Sequence, residues 1–195
     1  MKRREALKNI GLGLGYTATL PSAFSILQSC KTETKKWQPI FFTTNEGIVI
    51  QNIVDLILPT TKSSPGALDV NVPEFIDLYA HKVYNEEDAK KYRKGIQNIV
   101  QELLLSKTDA RDIKREDYEL FLNKYLRADK ETQKQYKHNK DQTYKALINL
   151  REQSIWAYKT SEEIGENVLA YDPIPSTQKG CISLDEATGG KAWSL

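Results

Sequence analysis

The sequence predicts an all-α protein, an irregular bundle of about five to six amphipathic helices followed by an extended C-terminal arm. Apolar residues recur at steps of three and four through residues 43–161, and no segment alternates apolar and polar residues as a strand does. Beyond the first 30 residues, glycine and proline are frequent only after residue 161 and in one earlier loop. A length of 195 residues suits one domain.

The first predicted helix has clear start and stop signals. Thr43 and Glu46 have the spacing of a capping box, and Pro59 ends the periodic segment. Its apolar face comprises Ile50, Ile53, Val54 and Ile57. The segment from Thr60 to Val72 contains Ser63-Ser64-Pro65-Gly66 and is predicted to be a turn-rich loop.

Two further helices follow this loop. Pro73 suits the first turn of the second helix. The apolar stripe of that helix is predicted to hold Phe75, Ile76, Tyr79 and Val83. Asn85 to Asp88 can cap the third helix. Its inward residues are predicted to be Tyr92, Ile96, Ile99, Val100, Leu103 and Leu104.

The last part of the bundle is predicted to hold two helices. The fourth runs from about Arg115 to Leu126, with Tyr118, Phe121, Leu122 and Tyr125 inward. The fifth is predicted as one continuous helix from about Asp129 to Tyr158. Its inward residues are predicted to be Tyr144, Leu147, Ile148, Ile155 and Trp156.

The character of the chain changes after Ser161. Residues 162–195 contain too many glycines and prolines for a long helix, yet they keep several large apolar side chains, which disordered tails usually lack. We therefore expect an extended arm that lies across a surface, either its own or that of a partner. The predicted organisation is a signal peptide (1–29), a polar tether (30–42), a helical domain (43–161) and a partner-binding arm (162–195).

The first residues have the pattern of an export signal. Arg3 and Arg4 precede a glycine-rich, weakly apolar stretch, as in twin-arginine signals. An ordinary cationic secretory signal and a short membrane helix are the alternatives. Gly11, Gly13 and Pro21 make the stretch a poor membrane anchor, so the twin-arginine interpretation is preferred.

The signal ends in a sequence that resembles a bacterial lipobox. Leu27-Gln28-Ser29-Cys30 places a small residue before a cysteine, and a polar run follows it at once. Gln28 is a less usual residue at its position, and the alternative is a soluble signal with a free cysteine near the cleavage site. If Cys30 carries a lipid, the mature protein is periplasmic and anchored to a bacterial membrane.

The body of the chain offers little recognisable chemistry. Residues 1–29 carry four basic residues against one acidic residue, which leaves a net charge of −1 for the rest and no footprint for nucleic acid. The two histidines, His81 and His138, are predicted to be ordinary helix residues. The sequence lacks the motifs of haem, metal, nucleotide and nucleophile sites. We therefore predict no catalytic, cofactor-binding or metal-binding residue in this chain.

Cys181 is the one cysteine in the body of the chain. Once Cys30 is lipidated, Cys181 has no partner within its own chain, which in an oxidising compartment suggests an interchain disulfide or a reactive thiol. The alternatives are a tolerated or buried free thiol, an interchain disulfide and a catalytic nucleophile. Its setting beside Gly180 suits a contact with a partner better than catalysis.

Several segments together resemble the gluconate 2-dehydrogenase subunit 3 family. The matching segments are Arg3-Arg4, the run from Asn52 to Thr61 that includes Leu58-Pro59-Thr60-Thr61, Ala67 to Asp77 with Val72-Pro73-Glu74-Phe75-Ile76-Asp77, Tyr158 to Glu162, Leu169 to Pro175, Gly180-Cys181 and Ala192-Trp193-Ser194-Leu195.

That resemblance implies an accessory subunit bound to an FAD-containing flavoprotein of the glucose-methanol-choline type, often with a separate cytochrome c. The small subunit would supply the export signal for a large subunit that has none. It also makes Cys181 a candidate covalent contact, with Tyr171, Pro173 and Trp193 as further partner contacts. The lipobox-like Cys30 is a departure from the family pattern, so anchoring by lipid is an inference from this sequence.

Three functional hypotheses follow. The first is a non-catalytic subunit that escorts, exports and anchors a periplasmic flavin-dependent sugar or alcohol dehydrogenase. The second is a free-standing surface lipoprotein that binds a ligand or acts as a scaffold, whose C-terminal arm folds back on its own helices. The third is a thiol enzyme that depends on Cys181.

Overall fold

A computed structural model describes residues 37–105, 107, 109–173 and 180–194, and it confirms the all-α prediction. The regular structure of these residues is helical, apart from one isolated β-bridge. The α-helices are α1 Thr44–Ile57, α2 Val72–Lys82, α3 Glu86–Leu103, α4 Arg115–Tyr125, α5 Lys130–His138, α6 Gln142–Lys159 and α7 Leu184–Thr188. The predicted export residues Arg3 and Arg4 and the predicted lipidation site Cys30 lie outside the described residues.

The start and stop signals of α1 act as predicted. The Thr43 hydroxyl accepts a hydrogen bond from the Glu46 amide at 3.3 Å, and the Thr43 amide donates to the Glu46 carboxylate at 2.8 Å. This reciprocal pair satisfies two amide groups that a helix start otherwise leaves free. The helix ends at Ile57, two residues before Pro59.

Helices α3 and α6 pack side by side along the middle of the domain. They approach closely at Gly95, where an added Cβ would lie 2.9 Å from the Cβ of Ala146. Small residues at this point let the two backbones approach closely. The buried side chains on either side of this contact include Tyr92, Ile96, Ile99, Leu147 and Leu150. None of the described helices has both the length and the apolar character needed to cross a bilayer.

The loop between α1 and α2 is held by side chains rather than by a regular element. The Asp69 carboxylate accepts hydrogen bonds from the Thr60 hydroxyl at 2.6 Å and from the Gly66 amide at 2.7 Å. A Cβ on Gly66 would lie 2.5 Å from the backbone nitrogen of Thr60, so this approach requires glycine. The loop is therefore a fixed structure on which α2 begins.

The predicted fifth helix is in fact two helices. Lys140 has φ of +53°, a left-handed conformation that a continuous α-helix does not accommodate. The next residue, Asp141, caps α6 by accepting a hydrogen bond from the Tyr144 amide at 2.8 Å. The prediction of one helix from Asp129 to Tyr158 was wrong. The residues around Lys140 are polar, so the spacing of apolar residues does not indicate where the helix breaks.

Four residues predicted to be inward lie at the surface instead. Phe75 and Val83 of the second predicted stripe are exposed, and so are Ile155 and Trp156 of α6. The buried face of α2 is centred on Val72, Ile76 and Ala80, so Phe75 lies at its edge. Periodicity identified the correct helices, but it overestimated how much of each helix is covered.

The C-terminal segment contains two short helical turns between its extended parts. Residues Glu163–Val168 form a π-helix directly after α6, and α7 is capped by Ser183, whose hydroxyl accepts from the Glu186 amide at 3.1 Å. Gly189 ends α7 with φ of +61°, the left-handed conformation that favours glycine. This segment is therefore partly folded on itself.

Candidate partner-binding surface

Three aromatic side chains of α2 and α6 meet at the surface, and we call Phe75, Tyr79 and Trp156 the aromatic patch. The ring centroids of Phe75 and Trp156 are 5.3 Å apart, and those of Tyr79 and Trp156 are 5.4 Å apart, both with edge-to-face geometry. Phe75 remains 40% exposed and Trp156 remains 42% exposed. These large apolar groups thus contact one another while leaving much of their area in water.

The aromatic patch is supported from beneath by further rings. Tyr79 contacts Tyr84 at 5.6 Å between centroids, and Tyr84 contacts the buried Tyr92 at 5.3 Å. Gln153 of α6 accepts a hydrogen bond from the Tyr92 hydroxyl and donates to the Tyr84 hydroxyl at 2.9 Å. Ring packing and these hydrogen bonds fix the rotamers of the side chains below the aromatic patch. The patch is therefore largely preorganised for binding.

Exposed clusters of this composition are typical of protein interfaces. Trp and Tyr are enriched among the residues that dominate binding energy, because they bury large area at low cost in conformational entropy. When a partner covers the remaining exposed apolar area of such a cluster, burial of that area adds favourable free energy to binding. The aromatic patch is therefore a candidate docking site on the described surface of the helical domain.

The C-terminal segment supplies a second exposed surface. The Ala170 amide donates to the carbonyl of Ala192, and the Ser194 amide donates to the carbonyl of Ala170, both at 2.8 Å. This pairing forms a parallel bridge between Ala170 and Trp193. It brings two predicted partner contacts, Tyr171 and Trp193, to the two sides of one bridge, where they are 49% and 50% exposed.

The bridge is seated on the π-helical turn that follows α6. A Cβ on Gly165 would lie 3.2 Å from the Ser194 hydroxyl, so the last described residue packs directly over this glycine. Ile164 beside it is fully buried. The end of the described chain is therefore tied to the end of the bundle while its aromatic side chains face water.

The other two predicted contacts are exposed but lie away from the bridge pairing. Pro173 is exposed, and Cys181 is an exposed free thiol. Cys181 has φ of +51°, an uncommon conformation for a residue with a Cβ. The exposure rules out the interpretation of Cys181 as a buried thiol.

A buried carboxylate that sequence analysis did not single out joins the N-terminal segment to α2. Asp77 is 1% exposed and accepts three backbone hydrogen bonds, from Ile40 at 2.7 Å, Phe41 at 2.9 Å and Phe42 at 3.0 Å. Three successive amides directed at one carboxylate form a concave anion site. The signal in the sequence was the position of Asp77 on the buried face of α2, beside Ile76.

Arg93 completes this N-terminal contact. Its guanidinium donates to the carbonyl of Phe41 and lies over the Phe41 ring, 4.5 Å from the centroid. The Phe41 ring in turn packs edge-on against Phe42 at 5.0 Å. The end of the predicted polar tether (30–42) is thus fixed to the helical domain from Ile40 onward.

A comparison with protein-family models decides the family. The model described as Gluconate 2-dehydrogenase subunit 3 matches residues 44–175, about two thirds of the chain. The chain belongs to this family. Comparison with curated proteins and with solved structures found no match.

The Gluconate 2-dehydrogenase subunit 3 match covers the helical domain and part of the C-terminal segment. It includes α1 to α6, the aromatic patch, the π-helical turn and the predicted contacts Tyr171 and Pro173. Cys181 and Trp193 lie beyond its last residue. The family description is that of a subunit of a dehydrogenase, which agrees with an accessory subunit as the class of protein.

The titratable groups of this family member are distributed rather than convergent. His81 and His138 lie in the last turns of two different helices, α2 and α5. Burial raises the pKa of Glu74, and one of its carboxylate oxygens is buried without a hydrogen-bond partner. Within the described residues, no group of three or more His, Cys, Asp or Glu side chains is placed to hold a metal ion.

Proposed function

We propose that this protein is a non-catalytic small subunit that escorts, exports and anchors a periplasmic flavin-dependent sugar or alcohol dehydrogenase. The FAD would belong to a large subunit of the glucose-methanol-choline type, with a separate cytochrome c as an electron-carrying partner in some complexes. This subunit would supply the twin-arginine signal through Arg3 and Arg4, and the lipid anchor through Cys30.

The aromatic patch is the observation that carries the proposal. Phe75 and Trp156 are exposed, contact each other and rest on fixed rings. A family described as a dehydrogenase subunit needs a surface on which a second chain can dock, and this patch has the required composition. The exposed Tyr171 and Trp193 of the C-terminal bridge extend the available contact area.

The Asp77 contact supports the anchoring role. Ten peptide steps separate Cys30 from Ile40, the first residue that Asp77 holds, so a lipid at Cys30 would keep the domain within about 35 Å of the membrane surface. Because the tether is short and ends at a buried carboxylate, the helical domain would stay close to the membrane surface. A large subunit bound to the domain would be held near the membrane as well.

Co-purification tests the docking step. A tagged full-length chain isolated from membranes of its native cells under non-reducing conditions is expected to bring down a larger flavin-containing chain. The variant Phe75→Ala/Trp156→Ala should recover at least 10-fold less flavin, because each truncated anchor costs about 2 kcal/mol of binding energy or more. Leu120→Ala, also an exposed apolar residue but located on α4, is the matched control. Full flavin recovery with the double variant would reject the aromatic patch as the docking site.

Two further variants separate export from covalent attachment. Arg3→Lys/Arg4→Lys should leave both this chain and the flavoprotein in the cytoplasm, whereas Cys181→Ser should affect only a covalent band in non-reducing electrophoresis. Normal export of the flavoprotein alongside the double lysine variant would contradict the escort role. A Cys181→Ser variant that still forms the band would remove Cys181 from the interface.

A second candidate function is a free-standing surface lipoprotein. It is favoured by the bridge of Ala170 with Trp193, since the C-terminal segment folds back on its own bundle as that hypothesis expects. Recovery of the chain as a monomer, with no flavin at any salt concentration, would favour this candidate over the first.

A further inference from the structure

The surface between α3 and α6 contains a groove that the proposed docking function does not use. Its volume is about 520 Å³, within the range of small-molecule sites. Most of its lining is apolar, and its floor includes the rings of Tyr84 and Tyr92 and the small residues Gly95 and Ala146, at which the two helices are in close contact. The groove runs along α3 from Asp88 to Asn98, a length of about 15 Å.

The rim of the groove is cationic. Three of its lining residues are lysines, Lys91, Lys94 and Lys145, and one is a carboxylate, Asp88. Lys91 is paired with Glu87 at 2.6 Å, whereas no carboxylate within the described part of the chain forms an ion pair with Lys94 or Lys145. Two ammonium groups from different helices are therefore free to meet an anion in the groove.

A directed chain of hydrogen bonds adds a neutral donor to the same groove. The Tyr92 hydroxyl donates to the Gln153 side-chain oxygen at 2.5 Å, and the Gln153 side-chain nitrogen donates to the Tyr84 hydroxyl at 2.9 Å. The Tyr84 hydroxyl is the acceptor in its hydrogen bond with Gln153. No described residue accepts the proton of this hydroxyl. Burial raises the pKa of Tyr84, so this hydroxyl keeps its proton at neutral pH and can donate it to a ligand.

We propose that this groove binds an organic anion in which a carboxylate or phosphate is attached to an apolar ring. The ring would lie on the floor formed by Gly95 and Ala146. The anionic group would accept from Lys94, Lys145 and the Tyr84 hydroxyl. The proposal is separate from flavoprotein docking, because none of these residues belongs to the aromatic patch. Tyr84 is one of the rings beneath the patch and contacts Tyr79.

Calorimetric titration of the full-length chain with four small probes tests the ligand class. Phenyl phosphate and benzoate combine a ring with an anion, whereas inorganic phosphate has only the anion and benzyl alcohol has only the ring. We expect either or both ring-bearing anions to bind, each at least 10-fold more tightly than its matched half-probe, and the tighter of the two identifies the preferred anionic group. For each ring-bearing anion that binds, an affinity equal to that of its matched half-probe would overturn the proposal.

Variants test the location. Lys94→Gln and Lys145→Gln should each weaken binding by about 2- to 5-fold, as exposed ion pairs do. Tyr84→Phe should weaken it by about 2- to 10-fold through loss of one donor. Lys134→Gln on α5, whose lysine is paired with Glu131, is the control and should leave affinity unchanged.

The double variant Lys94→Glu/Lys145→Glu is the decisive one, because it reverses both free charges without altering the buried floor. It should abolish binding while retaining the circular dichroism spectrum and the melting temperature of the unsubstituted chain. A folded double variant that binds either ring-bearing anion with unchanged affinity would overturn the proposal, as would the failure of both probes to bind the unsubstituted chain at millimolar concentration.

Discussion

The Tyr158 hydroxyl, near the end of α6, donates a hydrogen bond to the carbonyl oxygen of Pro65 at 2.7 Å, across 93 positions of sequence. The same hydroxyl is hydrogen-bonded to the Ser64 side chain at 2.5 Å. Tyr158 begins one of the segments that carry the family resemblance, whereas Ser64 and Pro65 lie in the loop between two others, and the contact makes this loop and the end of α6 one structural unit. The unit joins the loop before α2 to the helix that carries Trp156.

Replacing Tyr158 with Phe tests this contact. The ring would remain packed while the Pro65 carbonyl and the Ser64 hydroxyl lose a partner, so we expect the free energy of unfolding to fall by about 1 to 2 kcal/mol. Urea denaturation followed by circular dichroism measures it. The exposed Tyr171→Phe is the control and should change stability by less than about 0.5 kcal/mol. Equal effects of the two variants would show that the Tyr158 hydroxyl does not stabilise the loop.

Replacing Asp77 with Asn should destabilise the chain more strongly. The buried carboxylate accepts hydrogen bonds from three backbone amides. The carboxamide of Asn would offer only one oxygen, and its own N–H groups would be directed at the remaining backbone N–H groups. We expect a loss of about 2 to 4 kcal/mol, because hydrogen bonds to charged groups are the stronger ones. Asp112→Asn, at an exposed aspartate, is the matched control in chemical denaturation. A loss below about 1 kcal/mol would contradict this assignment.

The loop glycine offers a comparison of two otherwise identical substitutions. In Gly66→Ala the new methyl group would lie only 2.5 Å from the backbone nitrogen of Thr60, so we expect destabilisation by about 1 to 3 kcal/mol. In Gly180→Ala the methyl group has nothing within 4 Å and no positive φ to oppose it. That variant should be neutral or stabilised by a few tenths of a kcal/mol. Thermal unfolding of both variants measures the difference, and equal melting temperatures would reject the steric requirement at Gly66.

Glu74 gives a prediction for the pH dependence of stability. Burial raises its pKa above the ordinary 4.5 in the folded chain, so the folded state holds this proton more tightly than the unfolded state does. The resulting stabilisation is complete below 4.5 and is lost as the pH rises through the higher folded-state value.

The variant Glu74→Gln cannot lose a proton, so its stability relative to the unsubstituted chain should increase from about pH 4 to about pH 7. Denaturation curves at several pH values measure this difference, with the exposed Glu152→Gln as control. A difference that stays constant with pH, or that falls, would show that burial does not disfavour the Glu74 carboxylate.

Features that depend on neighbouring residues were predictable from the sequence. The capping box of Thr43 and Glu46 and the cap of α3 by Asn85 are local arrangements, and both are present. The break at Lys140 was not predictable, because a left-handed residue in a polar segment leaves no trace in the apolar period. The three hydrogen bonds from the amides of residues 40–42 to Asp77 join segments over 30 positions apart, which periodicity does not report.

The candidate site was predictable only in part. Tyr171 and Trp193 were predicted to contact a partner, which stays a prediction, and the structure places both at one exposed bridge. Trp156 and Phe75 were predicted to lie in the core, since a large apolar residue on a periodic face normally lies there. Whether such a residue is covered depends on which helices lie opposite, and that is a property of the tertiary packing.

The Asp77 contact also has a mechanical consequence. Tension applied to the chain from the N-terminal side of Ile40 would reach the carboxylate on α2 before it reached the first turn of α1. The load would then spread through α2 into the interior of the bundle, and the capping box at Thr43 would be shielded from it. The protein can therefore be held by its N-terminal end without its first helix being pulled open.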